Sequence, residues 1–158
     1  MITAEALIRG WTRNSDYVHT HLNGLTHAEA MMQPPARGNC SLWILGHIVC
    51  YRNYALNVLG QPGVVAEAVA RRFAKGSAPV LAEEPGLPRF EDLTRAYDDA
   101  QPRIVAGLRA LTPEAAVEVV TQGDFTLPRA ELIMTYMRHE SYHAGQFELL
   151  REIALAQR

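Results

Sequence analysis

Three histidines carry the chemistry for which this sequence can be read. Two of them, His139 and His143, stand in HESYHAGQ at positions 139–146. The spacing is H-E-x-x-H, with which a zinc peptidase holds its metal and its catalytic base. Four residues make about one helical turn, so on a helix the two rings lie about 40° apart on one face. Measured from His139 at ~100° per residue, Gln146 falls near −20°, Tyr142 near −60° and Tyr136 near 60°. Leu132, Leu150 and Ile153 share that sector, which turns both imidazoles toward a core. Burying polar side chains without partners costs several kcal/mol, and a divalent ion shared by both rings supplies one partner.

The third histidine is His47, whose helical face it shares with Trp43, Ile44, Tyr51, Tyr54 and Val58. On adjacent helices, His47, His139 and His143 can converge into a facial site with positions left open for water or substrate, as in catalytic rather than structural zinc. Three neutral ligands leave the ion its full charge, enough to lower the pKa of bound water to about 7 or to stabilise a bound thiolate. Around this set, Gln146 either orients a ligand ring or a bound water, or makes a core hydrogen bond. Tyr51, Tyr54, Tyr136 and Tyr142 either wall a pocket or fill the core. Glu140, near 100° on the wheel, either acts as a general base or pairs with a neighbouring helix or solvent. Gly145 is expected at a close helix approach. His19, His21 and His27 share no spacing with the other histidines and read as surface or boundary residues. Cys40 and Cys50 lack a C-x-x-C pairing and read as buried small side chains.

A peptidase needs more than its short motif: substrate-binding strands and a third ligand downstream. Only 15 residues follow His143, and none is histidine. Glu152, nine residues on, sits about 13 Å away along the same helix, too far to ligate. The spacing therefore points away from a peptidase.

The elements that position these residues are helices. Leu7, Trp11, Val18 and Leu22 recur at three- and four-residue steps and mark a first helix from Thr3 to about Leu25. THAEAMMQPPARGN then breaks the pattern at Pro34, Pro35 and Gly38, with room for one short helical turn at its start. Ser41 to Leu59 forms the second helix, closed by Gly60 and Pro62. Gln61 to Leu87 reads as a long crossover in which VVAEAVARRF can form a short helix. Pro88 suits a first helical position, and Phe90, Leu93, Tyr97, Ile104 and Leu108 mark a third helix to about Leu111. Pro102 inside it predicts a kink or a break. Thr112 and Pro113 open a short turn, TQGDFTLP reads as polar and turn-like, and Pro128 opens a last helix to about Ala156. Amphipathic helices of matched length bury their stripes most simply as an all-α four-helix bundle.

Composition bounds the rest. The chain has 158 residues, 48% apolar and 20% charged, which fits one globular domain over residues 1–158. A net charge of −2 without runs of like charge argues against nucleic acid as a partner. No apolar stretch is long enough to span a bilayer, and the N-terminus lacks a signal-peptide pattern. A soluble, cytoplasmic protein with reduced thiols is expected.

HESYHAGQ on the last helix, GHIV with His47 on the second, and the crossover between helices two and three resemble the DinB-like superfamily of metal-binding four-helix bundles. The resemblance spans essentially the whole chain, and H-x-x-x-H-x-G-Q is its most specific part. It implies up-down-down-up order, a divalent metal on His47, His139 and His143, Gln146 as the glutamine after the last ligand, and frequently a homodimer. Proteins of this kind include transferases and isomerases that use low-molecular-weight thiols, proteins proposed as metal-dependent hydrolases, and many without assigned chemistry. The expected function is thus metal-dependent catalysis on a small molecule, by thiol transfer or hydrolysis, with a low-molecular-weight thiol as co-substrate in the first case. The alternative is a non-catalytic bundle that binds metal or a small ligand in a stress response. Imidazole sites accept zinc, nickel, copper or iron and availability decides much of the outcome; zinc and nickel are the expected ions.

Overall fold

The computed structural model describes residues 2–158. Helix α1 (Ala4–Leu22) starts where the Thr3 side chain accepts a hydrogen bond from the Ala6 amide. A single turn, α2 (His27–Ala30), follows behind a capping box of Thr26 and Glu29. The second long helix is α3 (Ser41–Val58), and the crossover after it contains the short α4 (Glu67–Arg72). Helix α5 (Phe90–Ala110) is the third long one, then come the five-residue α6 (Pro113–Val117), strands β1 (Val119–Gln122) and β2 (Phe125–Pro128), and the last helix α7 (Arg129–Leu155).

Side-chain partners fix the directions of the long helices. Gly10 faces Met137, Asn14 bonds Met137 and Ser141, and Arg151 bonds His21, so α1 and α7 run parallel. Arg52 bonds Tyr97 and Leu59 packs on Gly107, so α3 and α5 are also parallel. His47 meets His139 while Arg129 reaches Val58, which sets α3 antiparallel to α7. His19 pairs with Asp98 and α1 runs against α5. The order is up-down-down-up.

Two parallel consecutive helices need a return path, and the crossover supplies it by running back along α3. Its hydrogen bonds step from Val64 and Val65 on Asn53, through Phe73 on His47, to Ala78 on Trp43 and Val80 on Cys40. This covers the remaining side of α3, and every residue from Ser41 to Cys50 is buried. The core divides into two apolar clusters. One gathers Val18, Leu45, Phe73 and Phe147, and the other Leu7, Trp11, Leu56, Ile104 and Leu132. Between them lies a polar layer: Asn14 and Ser15 on α1, His47 and Arg52 on α3, and Glu140 on α7 are all buried.

Three expectations change. Of the two outcomes read for Pro102, a kink or a break, the break does not occur, since α5 runs as one helix from Phe90 to Ala110. The cost of an interior proline, about 3 kcal/mol, is offset by the buried Tyr97, Ala100, Ile104 and Leu108 on both sides of it. Pro88 lies ahead of this helix rather than in its first turn, since Arg89 is the N-cap. TQGDFTLP is a β-hairpin with Val119 opposite Pro128 and Gln122 opposite Phe125. Gly123 at φ 59° supplies the left-handed residue that a two-residue hairpin turn needs. Among the described residues, no helix is long and apolar enough to cross a membrane.

Candidate metal centre

The structure brings His47, His139 and His143 together, with one ligand atom from each within 4.8 Å of the others. His47 Nε2 stands 3.2 Å from His139 Nε2, and His143 Nε2 stands 3.1 Å from the same atom. Local packing aims these atoms. Gly46 has no side chain, and a Cβ there would lie 2.4 Å from the Phe73 ring, so only glycine lets the crossover close on α3. That approach puts the Phe73 carbonyl 2.6 Å from His47 Nδ1, which donates to it. His143 Nδ1 donates to Gln146 Oε1 at 2.7 Å, one turn further along α7. Trp43 stacks on His47 at 4.8 Å and Tyr51 on His139 at 3.8 Å between ring centroids.

With the Nδ1 protons of His47 and His143 committed, their Nε2 lone pairs both face His139. A proton on His139 Nε2 satisfies one neighbour and leaves the other unpaired. A proton on Nδ1 makes three lone pairs converge and still gains nothing, because buried His139 Nδ1 has no partner among the described residues. A cation at the meeting point accepts all three lone pairs. Nitrogens held at ~2.0–2.1 Å from one ion stand about 2.9–3.4 Å apart over the usual coordination angles, which brackets both observed separations. Burial lowers the pKa of all three rings, that of His139 to about 3, where the neighbouring His143 and His47 add to the effect. Neutral imidazole is the form that binds metal. The donor set fits a divalent ion.

The centre opens on a cleft of about 400 Å³ whose walls include Trp43, Tyr51, Lys75, Phe125 and Tyr136. Tyr142 is 71% exposed, and its ring meets His143 edge-on at 5.0 Å from outside that cleft. Glu140 faces away from the histidines. Its carboxylate takes Arg52 Nε and Nη2, each at 2.8 Å, and the Tyr97 hydroxyl at 3.0 Å. The general-base alternative for Glu140 is thereby replaced by a buried ion pair. Helix α7 packs against both α1 and α3, so a side chain about 100° from the histidine face still points into protein.

Other residues also moved from their expected places. A Cβ on Gly145 would meet nothing within 4 Å, so this glycine marks no close helix approach; Gly10, against Met137, does. His27 is buried, accepts from the Phe90 amide and contacts Glu83, so it ties α2 to the start of α5 rather than lying at the surface. Cys40 and Cys50 are buried free thiols. The sequence reading missed Arg52, Phe73, Lys75 and Phe125. Arg52 had a legible signal, being the one charged residue of α3, while Phe73 acts through a backbone carbonyl that no side-chain pattern reveals.

A bundle whose second and last long helices aim three histidines into an open cleft belongs to the helical proteins with a metal-capable centre. The chain is a member of the DinB superfamily, whose family model matches residues 11–147 and so includes all three histidines. Among solved structures it is similar to a conserved protein from Enterococcus faecalis, at 13% identity over 99% of each chain and a TM-score of 0.73. It is also similar to a DinB-like protein from Bacillus cereus, at 20% identity over 97% of this chain and 93% of that one, with a TM-score of 0.68. At such identities the two structures speak for the fold. None of the curated proteins matches this sequence.

Proposed function

We propose that the protein is a metal-dependent enzyme acting on a small molecule, with His47, His139 and His143 as ligands to zinc or nickel. The observation that carries this reading is the meeting of three Nε2 atoms beside an open cleft, two of them fixed by acceptors on Nδ1. When bound, the ion supplies Lewis acidity, which favours the deprotonated form of a coordinated water or thiol near neutral pH. The chain does the rest. The Phe73 carbonyl and Gln146 hold the protons of His47 and His143 on Nδ1, leaving Nε2 free as donor. Trp43 and Tyr51 stack on two of the rings and limit their rotation. Glu140 is committed to Arg52 and Tyr97, so it is not placed to take a proton from the reacting group.

Transfer of a low-molecular-weight thiol and hydrolysis both fit this arrangement. The buried free thiols support a reducing compartment such as the cytoplasm, and a homodimer is the assembly we expect. Elemental analysis of untagged protein, purified without added metal beside His143→Ala, tests the ligand set. About one metal per chain, lost in the variant, is expected. Absence of metal from both after incubation with zinc and nickel refutes the reading. Turnover screens with thiol and electrophile pairs, and with esters, then separate enzyme from binder.

A further inference from the structure

Lys75 is the single lysine among the 15 basic residues of the chain, all the others being arginine. It lies just after α4 on the crossover and lines the histidine cleft. The two arginines of α4 just before it are engaged, Arg71 with Glu67 and Arg72 with Glu84. Lys75 has no ion-pair partner among the described residues.

The cleft continues past the histidines. A second chamber of about 280 Å³ shares Tyr51, Lys75, Phe125 and Tyr136 with the first and runs under the hairpin turn at Gly123 and Asp124. The two chambers adjoin at these four residues, with the histidines lining one and the hairpin turn the other. Phe125 from β2 lies edge-on to Tyr136 at 6.3 Å, and Tyr51 lies edge-on to Tyr136 at 5.8 Å. Among the described residues no carboxylate lines the histidine chamber, and Asp124 lines the outer one. Three neutral imidazoles leave a bound ion its charge, and Lys75 adds another of the same sign. Positive charge without a carboxylate in the histidine chamber concentrates ligands of the opposite sign there. Lysine, a compact ammonium on a flexible stem, suits a single negative group at variable reach, where arginine would demand a bidentate one.

We propose that the cleft takes a small organic anion, whose negative group pairs with Lys75, whose flat apolar body lies along Tyr51, Phe125 and Tyr136, and whose donor atom faces the three histidines. This deepens the function proposed above and rests on it for the histidine end alone. The test uses cobalt(II)-loaded protein and calorimetric titration with 3-mercaptobenzoate and with uncharged 3-mercaptobenzyl alcohol. Wild type should bind the carboxylate about tenfold more tightly, as for one charge-assisted hydrogen bond. Lys75→Met should abolish that preference while leaving the affinity for the alcohol within about twofold, and Asp124→Asn should keep the preference. Equal affinities in wild type, failure of both thiols to bind loaded protein, or a preference that survives Lys75→Met overturns the proposal. Cobalt content is measured first on the same samples. Protein that takes up no cobalt refutes the trihistidine reading, whereas loaded protein with equal affinities refutes the Lys75 assignment and leaves that reading standing.

Discussion

Replacing Glu140 by leucine removes half of an ion pair that solvent does not reach. Arg52 is 0% and Glu140 1% exposed. Without the carboxylate, the guanidinium keeps the Tyr97 carbonyl at 2.9 Å and the Tyr97 ring 3.5 Å from its centre, while Nε and Nη2 lose their acceptors. Breaking one side of such a pair costs about 3–5 kcal/mol, because an uncompensated charge stays buried. At ~2–4 °C per kcal/mol for a chain of this length, the melting temperature should fall by roughly 6–20 °C. Arg52→Met together with Glu140→Leu replaces both charges with apolar side chains. It should recover all but about 1–2 kcal/mol, the remainder reflecting the Tyr97 hydroxyl deprived of its acceptor. Urea and thermal unfolding of metal-free protein, followed by circular dichroism, measure both variants. A loss below about 1 kcal/mol in Glu140→Leu would refute the buried-pair account. The double variant also separates structure from chemistry: it should still bind metal and keep any activity of the wild type, and a folded, metal-loaded but inactive double variant would return Glu140 to the mechanism.

Other outcomes follow from the same geometry. Gln146→Leu frees the Nδ1 side of His143 and should weaken metal affinity about 10–100-fold with little loss of helicity, read by competition with a chromophoric chelator. Gly46→Ala pushes on the Phe73 ring and should cost about 1–3 kcal/mol, together with weaker metal binding because the carbonyl on His47 shifts. Unchanged affinity in a destabilised Gly46→Ala would show that Phe73 does not position His47. In metal-free protein the three histidine pKa values lie below the unfolded value, so the unfolded chain binds more protons as the solution is acidified. Stability from this source is complete above about pH 6.5 and declines toward about pH 3, and a flat urea midpoint across that window would contradict it.

The helices of the bundle and the three histidines could be read directly because both depend on local periodicity. A stripe at three- and four-residue steps specifies a helix and its inward face, and His139 and His143 share that face whatever the partner helices do. The hairpin was legible too, since Gly-Asp between alternating residues is a two-residue turn signal. Its largely exposed strands, with Val119 63% and Phe125 40% exposed, made it look like a polar turn instead. Pro102 shows another case, in which the packed residues on both sides keep α5 one helix through a residue that locally favours a break.

The sequence by itself determined the ligand types, the spacing that pairs two of them, and the amphipathic lengths that make a bundle. Only the tertiary structure decided what each polar group meets. Glu140 left the metal side because Arg52 waits on another helix 88 positions earlier. His47 acquired its orientation from a carbonyl 26 positions away, and Lys75 came into the cleft because the crossover runs back along α3. Helical periodicity fixes direction within one element, whereas partners across elements depend on how the chain returns, and the short-range pattern holds no record of that.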